Sequence, residues 1–387
     1  MGYVFNGQCS GGLLGAVMAV LAFFTSILFI PGLPSAATTP RYALLALFVP
    51  FIWYSLPAKR ITVGHLIGAL FLCWCAITLL WAFNFQDGIY QIGKFVLFGL
   101  LFCIGATRNS LRNVYIACAI GVGVNSVIVM GQYWGGWTFI PQVAFPGGLF
   151  FNKNFGAEFA ALILAALVVE RLWWLVPVTF PTLILCQSRA SVIALSCGAI
   201  LLVYQHNKRL AIGLFMALIG LGIYLWAMNY TAHQRWDLWR DTFASMQFWG
   251  RGIGAYYTTF PENAIYIDSL TLRPTAAHND LLQLTYELGP GILIVLGLVS
   301  VALLPPMRSE HYVLSVFLVE GLVGFPLYMP ATAFVAALVL GRLCGDGPDI
   351  RSAFDWCRVR VLSGLQDSGV ERGRAVPPAN SPQVVPL

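Results

Sequence analysis

Charge is what this sequence has least of. Only 10% of its 387 residues are Asp, Glu, Lys or Arg, against 58% hydrophobic, whereas soluble domains are about a quarter charged. A water-soluble core of this length has no use for so much apolar surface, so lipid must solvate much of it. Paired cysteines are lacking too. The nine cysteines stand singly, with no CxxC and no ligand-like spacing. Those inside apolar runs (Cys73, Cys75, Cys103, Cys118, Cys186, Cys197) read as buried free thiols rather than disulfides or metal ligands. The first ten residues hold no Lys or Arg, which argues against a cleaved signal peptide, although Pro34–Ala37 resembles a cleavage site. The first apolar run is read as a retained span. No HExxH, Walker loop, GxSxG or DxD-type pair occurs in the exposed segments. Metal- and nucleotide-dependent chemistry are therefore disfavoured, and no metal or cofactor is expected.

What is present is a succession of apolar runs, near 11–31, 41–57, 62–83, 88–107, 113–134, 153–169, 172–187, 189–204, 210–228, 281–304, 311–328 and 331–344. They predict an all-α polytopic membrane protein with about 12 transmembrane helices. The 12 Trp, 15 Tyr and 27 Phe suit interfacial belts and helix packing. With the N-terminus in the cytoplasm, Lys59, Arg60, Arg108, Arg112, Arg171, Lys208, Arg209, Arg308 and the tail after Arg342 all fall inside. An even span count makes both termini cytoplasmic. The net charge of +6 lies in these loops and the tail, so nucleic-acid binding is not expected. Two long segments then lie outside: 134–151, and about 229–280 before the tenth helix. Residues 1–344 form the transmembrane domain, and the Pro-, Gly- and Arg-rich stretch 345–387 reads as a disordered cytoplasmic tail. The absence of an internal repeat weakens a transporter built from duplicated halves.

The segment 229–280 carries His233, Arg235, Asp237, Arg240, Asp241, Arg251, Arg273 and His278. A water-facing loop holds charges in any case, and a solvated surface is the plain reading. Three features favour a functional loop. It is rich in aromatics (Trp236, Trp239, Phe243, Trp249, Tyr256, Tyr257), and Gly250, Gly252 and Gly254 permit tight turns. Arg supplies every positive charge, and guanidinium forks suit bidentate phosphate recognition. His278 directly precedes an apolar helix, where the positive end of the dipole disfavours an imidazolium. A neutral imidazole there is either a base for a hydroxyl nucleophile or a capping residue. Arg189 either snorkels from a span end or binds anions; its place on the outer side favours function. Lys94, Glu158, Glu287 and Glu320 lie in or near spans, where ionisable groups are costly and mark function or helix-to-helix bonding. Glu158 follows Asn152, Lys153 and Asn154 near the outer face. Glu287 shares a helix face with Gln283.

Four blocks in order give a resemblance. They are Phe-Asn-Lys-Asn-Phe-Gly-Ala at 151–157, Gln-Ser-Arg-Ala-Ser at 187–191, Arg235 and Trp239 followed by Trp-Gly-Arg-Gly-Ile-Gly-Ala-Tyr at 249–256, and His-Asn-Asp-Leu-Leu-Gln-Leu-Thr-Tyr-Glu-Leu-Gly at 278–289. With Phe-Pro-Leu-Tyr-Met-Pro at 325–330, the second half of the chain resembles the O-antigen ligase and polymerase superfamily, which includes O-linking oligosaccharyltransferases. Residues 1–140 match it only in hydropathy. Cys186 stands where the family more often has a small polar residue, and Arg251 interrupts the glycine motif.

The resemblance implies a metal-independent glycosyltransferase on the periplasmic face of the bacterial inner membrane. Its donor would be a glycan on undecaprenyl diphosphate, and its acceptor a hydroxyl of lipid A core or of a second lipid-linked repeat. His278 would be the base, with Arg189 and Arg235 on the diphosphate. Arg251, Asn154, Asn279, Gln283, Glu287 and Trp239 would contact substrate. Ligase and polymerase differ only in acceptor, and no residue separates them; ligase is placed first. A lipid-linked-substrate transporter would instead need charges near the bilayer midplane and paired broken helices.

Overall fold

A computed structural model describes residues 8–33, 35–56, 61–227, 230–261, 274–303 and 307–345. Among these, fifteen α-helices follow one another and no strand forms. The first six are α1 (Gln8–Ile27), α2 (Thr39–Tyr54), α3 (Val63–Thr78), α4 (Phe85–Ala106), α5 (Arg112–Gly135) and α6 (Lys153–Val169). Next come α7 (Val176–Cys186), α8 (Arg189–His206), α9 (Lys208–Ala227), α10 (Tyr230–Ala244) and α11 (Tyr256–Thr259). The last four are α12 (Asp280–Leu288), α13 (Ile292–Leu303), α14 (Ser309–Val323) and α15 (Pro330–Gly345).

Five described segments are long and apolar enough to cross a bilayer: Val63–Trp81, Phe85–Ala106, Arg112–Gly135, Arg189–His206 and Asp280–Leu303. Shorter apolar helices cover Leu13–Ile27, Trp173–Cys186 and Pro330–Gly345. The chain is thus an all-α membrane protein.

Sequence and structure part at several element ends. The span expected over 281–304 is found as one segment of membrane-crossing length, Asp280–Leu303, although a 3-10 turn at Gly289–Gly291 divides it into α12 and α13. Gly289 takes φ 54°, and Pro290 has no N–H for a helical ladder. The run expected over 311–328 stops as α-helix at Val323, and Pro326–Tyr328 form a 3-10 turn. The segment expected as an external loop from 229 begins with a helix, α10, whose polar sequence leaves no hydropathy signal. The division between α7 and α8 falls where expected, at Gln187 (φ 51°). Cys73 is exposed, unlike the buried thiol expected of it, because it faces away from the bundle. The tail from 346, and Arg273, lie outside the described residues.

Burial locates the centre. Every residue of α6 from Gly156 to Leu167 is buried, as befits a helix whose faces are apolar apart from Glu158. Nearly all of α15 is buried too. Against α15 lies α4, approached through glycines. A Cβ on Gly105 would stand 2.8 Å from the Leu338 Cα, and one on Gly341 would stand 2.7 Å from the Phe102 carbonyl carbon. The two backbones meet this closely only because neither position carries a side chain.

Guanidinium groups, buried only at Arg41, tie the connections together at each end. Arg41 donates from Nε to the Leu28 carbonyl and from Nη2 to those of Ser26 and Leu149, each at 3.1 Å. It therefore joins the α1–α2 and α5–α6 connections. At the opposite end Arg112 donates to the Glu170 carbonyl (3.2 Å) and Arg342 to that of Arg108 (3.1 Å). Arg342 also pairs with Glu310. The connections rich in Arg thus share one end of the bundle, and those rich in Gly and aromatics share the other.

Candidate active site

The site grows from the start of α12. Asn279 caps that helix, its side chain accepting from the Leu282 N–H at 2.9 Å. His278 therefore directly precedes the helix, as expected, and takes a left-handed φ of 51°. A non-glycine residue in that region is sparsely populated and tends to mark a functional position. The imidazole packs edge-on against Phe325 at 4.9 Å between centroids, and Phe325 packs on Phe155 at 5.0 Å. This stack joins the His motif, the first turn of α6 and the turn after α14.

Residue 277, just before the histidine, is fixed from two sides. Trp239 on α10 donates its indole N–H to the Ala277 carbonyl (2.9 Å), and the Ala277 N–H donates to Gln283 Oε1 (3.1 Å). Gln283 in turn donates to Glu287 Oε1 at 3.3 Å. Glu287 then accepts from the backbone N–H groups of Gly254 (3.0 Å) and Tyr256 (3.4 Å). Main-chain bonds run alongside, from Arg251 N–H to the Tyr286 carbonyl (3.0 Å) and from Gly252 N–H to that of Glu287 (2.9 Å). The glycine motif is thereby stitched to the last turn of α12. Its close approach needs glycine: at Gly254, with φ 75°, a Cβ would lie 2.8 Å from the Asp87 carbonyl oxygen.

Glu287 is therefore an acceptor for buried backbone donors. Glu287→Ala should strand those N–H groups and cost roughly 3 kcal/mol. Glu287→Gln, which keeps one acceptor oxygen, should lose less. Thermal unfolding in detergent ranks the two, and equal unfolding of both with wild type would refute this role.

Around the end of α14 a second group of side chains gathers. Arg235 on α10 donates from Nη1 to the Val323 carbonyl at 2.7 Å and lies within electrostatic reach of Glu158 on α6. Glu158 is itself in the field of Glu320 on α14 and of Asp280 on α12. Asp280 Oδ2 accepts from the Leu327 N–H at 3.0 Å. All three carboxyl groups are buried: Glu158 is 3% exposed, Asp280 7% and Glu320 0%. Glu158 Oε2, Asp280 Oδ1 and both oxygens of Glu320 have no hydrogen-bond partner within normal geometry among the described residues. Ser191 lies beside Glu320. Among the described residues, no three His, Cys, Asp or Glu are grouped so as to hold a metal ion.

The remaining expected residues divide. Arg189 is exposed at the first position of α8, two residues before Ser191, and so stands at the same end as the carboxyl group. Asn154 is half-buried beside Phe155; its N–H is capped by Asn152 at 2.9 Å, and its carboxamide has no hydrogen bond among the described residues. Arg251, which the resemblance places on substrate, makes contacts within the chain. Its Nε and Nη2 donate to the Ser245 carbonyl at 3.1 and 2.8 Å, and its guanidinium lies 5.4 Å above the Tyr286 ring. The chain reverses between 245 and 251, which leaves this arginine holding the turn. Lys94 donates to Gln91 (3.2 Å), stacks on Tyr90 at 4.3 Å and lies in the field of Glu287.

Sequence reasoning missed the convergence of Glu158, Asp280 and Glu320. The available signal was ionisable residues in apolar runs, each visible singly. Compared with known proteins, the chain matches no family model and no curated protein.

Proposed function

We propose that the protein is an O-antigen ligase-like glycosyltransferase that moves a glycan from undecaprenyl diphosphate to the hydroxyl of an acceptor such as lipid A core. In this reading a twelve-span topology sets both termini in the cytoplasm and the His278 end at the periplasmic face of a bacterial inner membrane. The observation carrying it is the meeting of His278 and Arg235 about the end of α14, at the end of the bundle away from the Arg-rich connections.

The chemistry asks little beyond that. The acceptor oxygen attacks the anomeric carbon while His278 takes its proton. The bond from that carbon to the diphosphate oxygen breaks, with its electrons leaving on the diphosphate. Arg235 and Arg189 neutralise the departing charge in a water-poor site, where fixed cations act most strongly. Displacement in one step inverts the anomeric configuration. Trp236 and Trp249, both exposed, offer faces for sugar rings, and apolar helix walls suit a prenyl chain.

The test is transfer by purified protein in EDTA, supplied with the lipid-linked glycan and either lipid A core or further donor. Product on the core is the expected result. A ladder on the prenyl lipid would make the enzyme a polymerase instead. Donor crossing a bilayer without any product would overturn the enzyme reading.

A further inference from the structure

We infer that the cleft at the Arg342 end, where the α6–α7 corner meets the last turn of α8 and the start of α14, binds the headgroup phosphate of an anionic phospholipid. It is an open cleft of about 340 Å³ lined by Arg171, Arg308, Trp173, Leu202, Gln205 and Tyr312 among others. No Asp or Glu lines it. Two acids stand nearby: Glu310 pairs with Arg342, and Glu170 lies in the fields of Glu310, Arg112 and Arg342. Arg171, by contrast, makes no side-chain hydrogen bond or ion pair among the described residues.

The backbone at Arg171 adds to the case. After α6 the Arg171 N–H donates to the Val168 carbonyl (3.2 Å) and the Leu172 N–H to that of Leu167 (2.8 Å). These are the two bonds of a Schellman motif, and Arg171 fills its left-handed position with φ 57°. Glycine is the usual and less strained occupant of that position. A guanidinium is held there against the local preference, and its neighbour across the cleft is a second arginine.

The wall chemistry chooses the source of the phosphate. Trp173 is 58% exposed at the cleft mouth, where an indole suits headgroup depth, and Leu202 continues an apolar lining towards α8, a helix of membrane-crossing length. A free phosphate ion has no use for that lining, whereas an acyl chain does. Basic clefts between helices at the cytoplasmic boundary are suited to anionic lipid headgroups. This inference does not depend on the proposed transferase activity.

The experiment uses the full-length protein in detergent, with thermal unfolding and native mass spectrometry as readouts. Phosphatidylglycerol, phosphatidylcholine and inorganic phosphate are compared at equal concentration. Phosphatidylglycerol should raise the unfolding temperature and remain bound, while the other two should not. Arg171→Gly and Arg308→Gln should each weaken its retention about fivefold. Arg171→Gly relieves the left-handed position, so it should fold at least as well as wild type and carries the test alone if Arg308→Gln is damaged. Unchanged lipid retention by Arg171→Gly overturns the site. An equal shift with inorganic phosphate overturns the lipid as its source.

Discussion

His278→Ala is expected to lower glycan transfer by about 10²–10⁴-fold, the contribution of a positioned base, while leaving the protein folded. The supports around this residue predict that separation. Asn279 caps α12, and Trp239 and Gln283 hold residue 277; none of these bonds uses the imidazole. Its edge-on contact with Phe325 is worth on the order of 1 kcal/mol, too little to unfold the bundle. Because the backbone here is left-handed, His278→Asn is the better control: asparagine tolerates that conformation and cannot serve as the base. Transfer assays on both variants, beside unfolding temperatures, check the assignment. Unaltered transfer by His278→Asn would remove the histidine from the mechanism.

Much of this arrangement was legible in the sequence, for reasons that also explain where legibility ended. Apolar runs report burial in lipid or protein one segment at a time, so α6 could be bounded at 153 and 169 and the α7–α8 break placed at Gln187. The same averaging hid the Gly-Pro-Gly interruption between α12 and α13, since three residues hardly dent a long apolar window. It also hid α10, whose helix is held by tertiary contacts such as Trp239 to Ala277 rather than by an apolar face. Convergence was the least legible property. Glu158, Asp280 and Glu320 are separated by more than a hundred residues or by a helix hairpin, and no spacing rule links them. Glu287 stood open between catalysis and internal bonding. Its acceptance of two backbone N–H groups from the glycine motif speaks for the second. For Arg251, placed on substrate by the resemblance, no motif announced the contact the structure adds: the glycines fold the turn back until the guanidinium meets the Ser245 carbonyl.

Arg235→Ala is expected to reduce transfer by about 10²–10³-fold, the loss seen when one preorganised stabiliser of developing negative charge is removed. Its geometry explains why lysine should rescue poorly. One guanidinium nitrogen is committed to the Val323 carbonyl at 2.7 Å, which fixes the plane of the group beside Glu158. A planar fork can hold that carbonyl and still direct further N–H donors at a phosphate oxygen, whereas an ammonium cannot keep both arrangements. A competing account is that Arg235 only compensates the buried Glu158, and acts on transfer through folding. The double variant Arg235→Ala with Glu158→Gln separates the two. With Glu158 neutralised, the loss of the guanidinium no longer strands that carboxylate, so stability should return towards wild type. Transfer should stay as low as in Arg235→Ala if the guanidinium acts on the diphosphate. Recovery of transfer along with stability would reduce Arg235 to a partner of Glu158 and leave Arg189 to meet the leaving group.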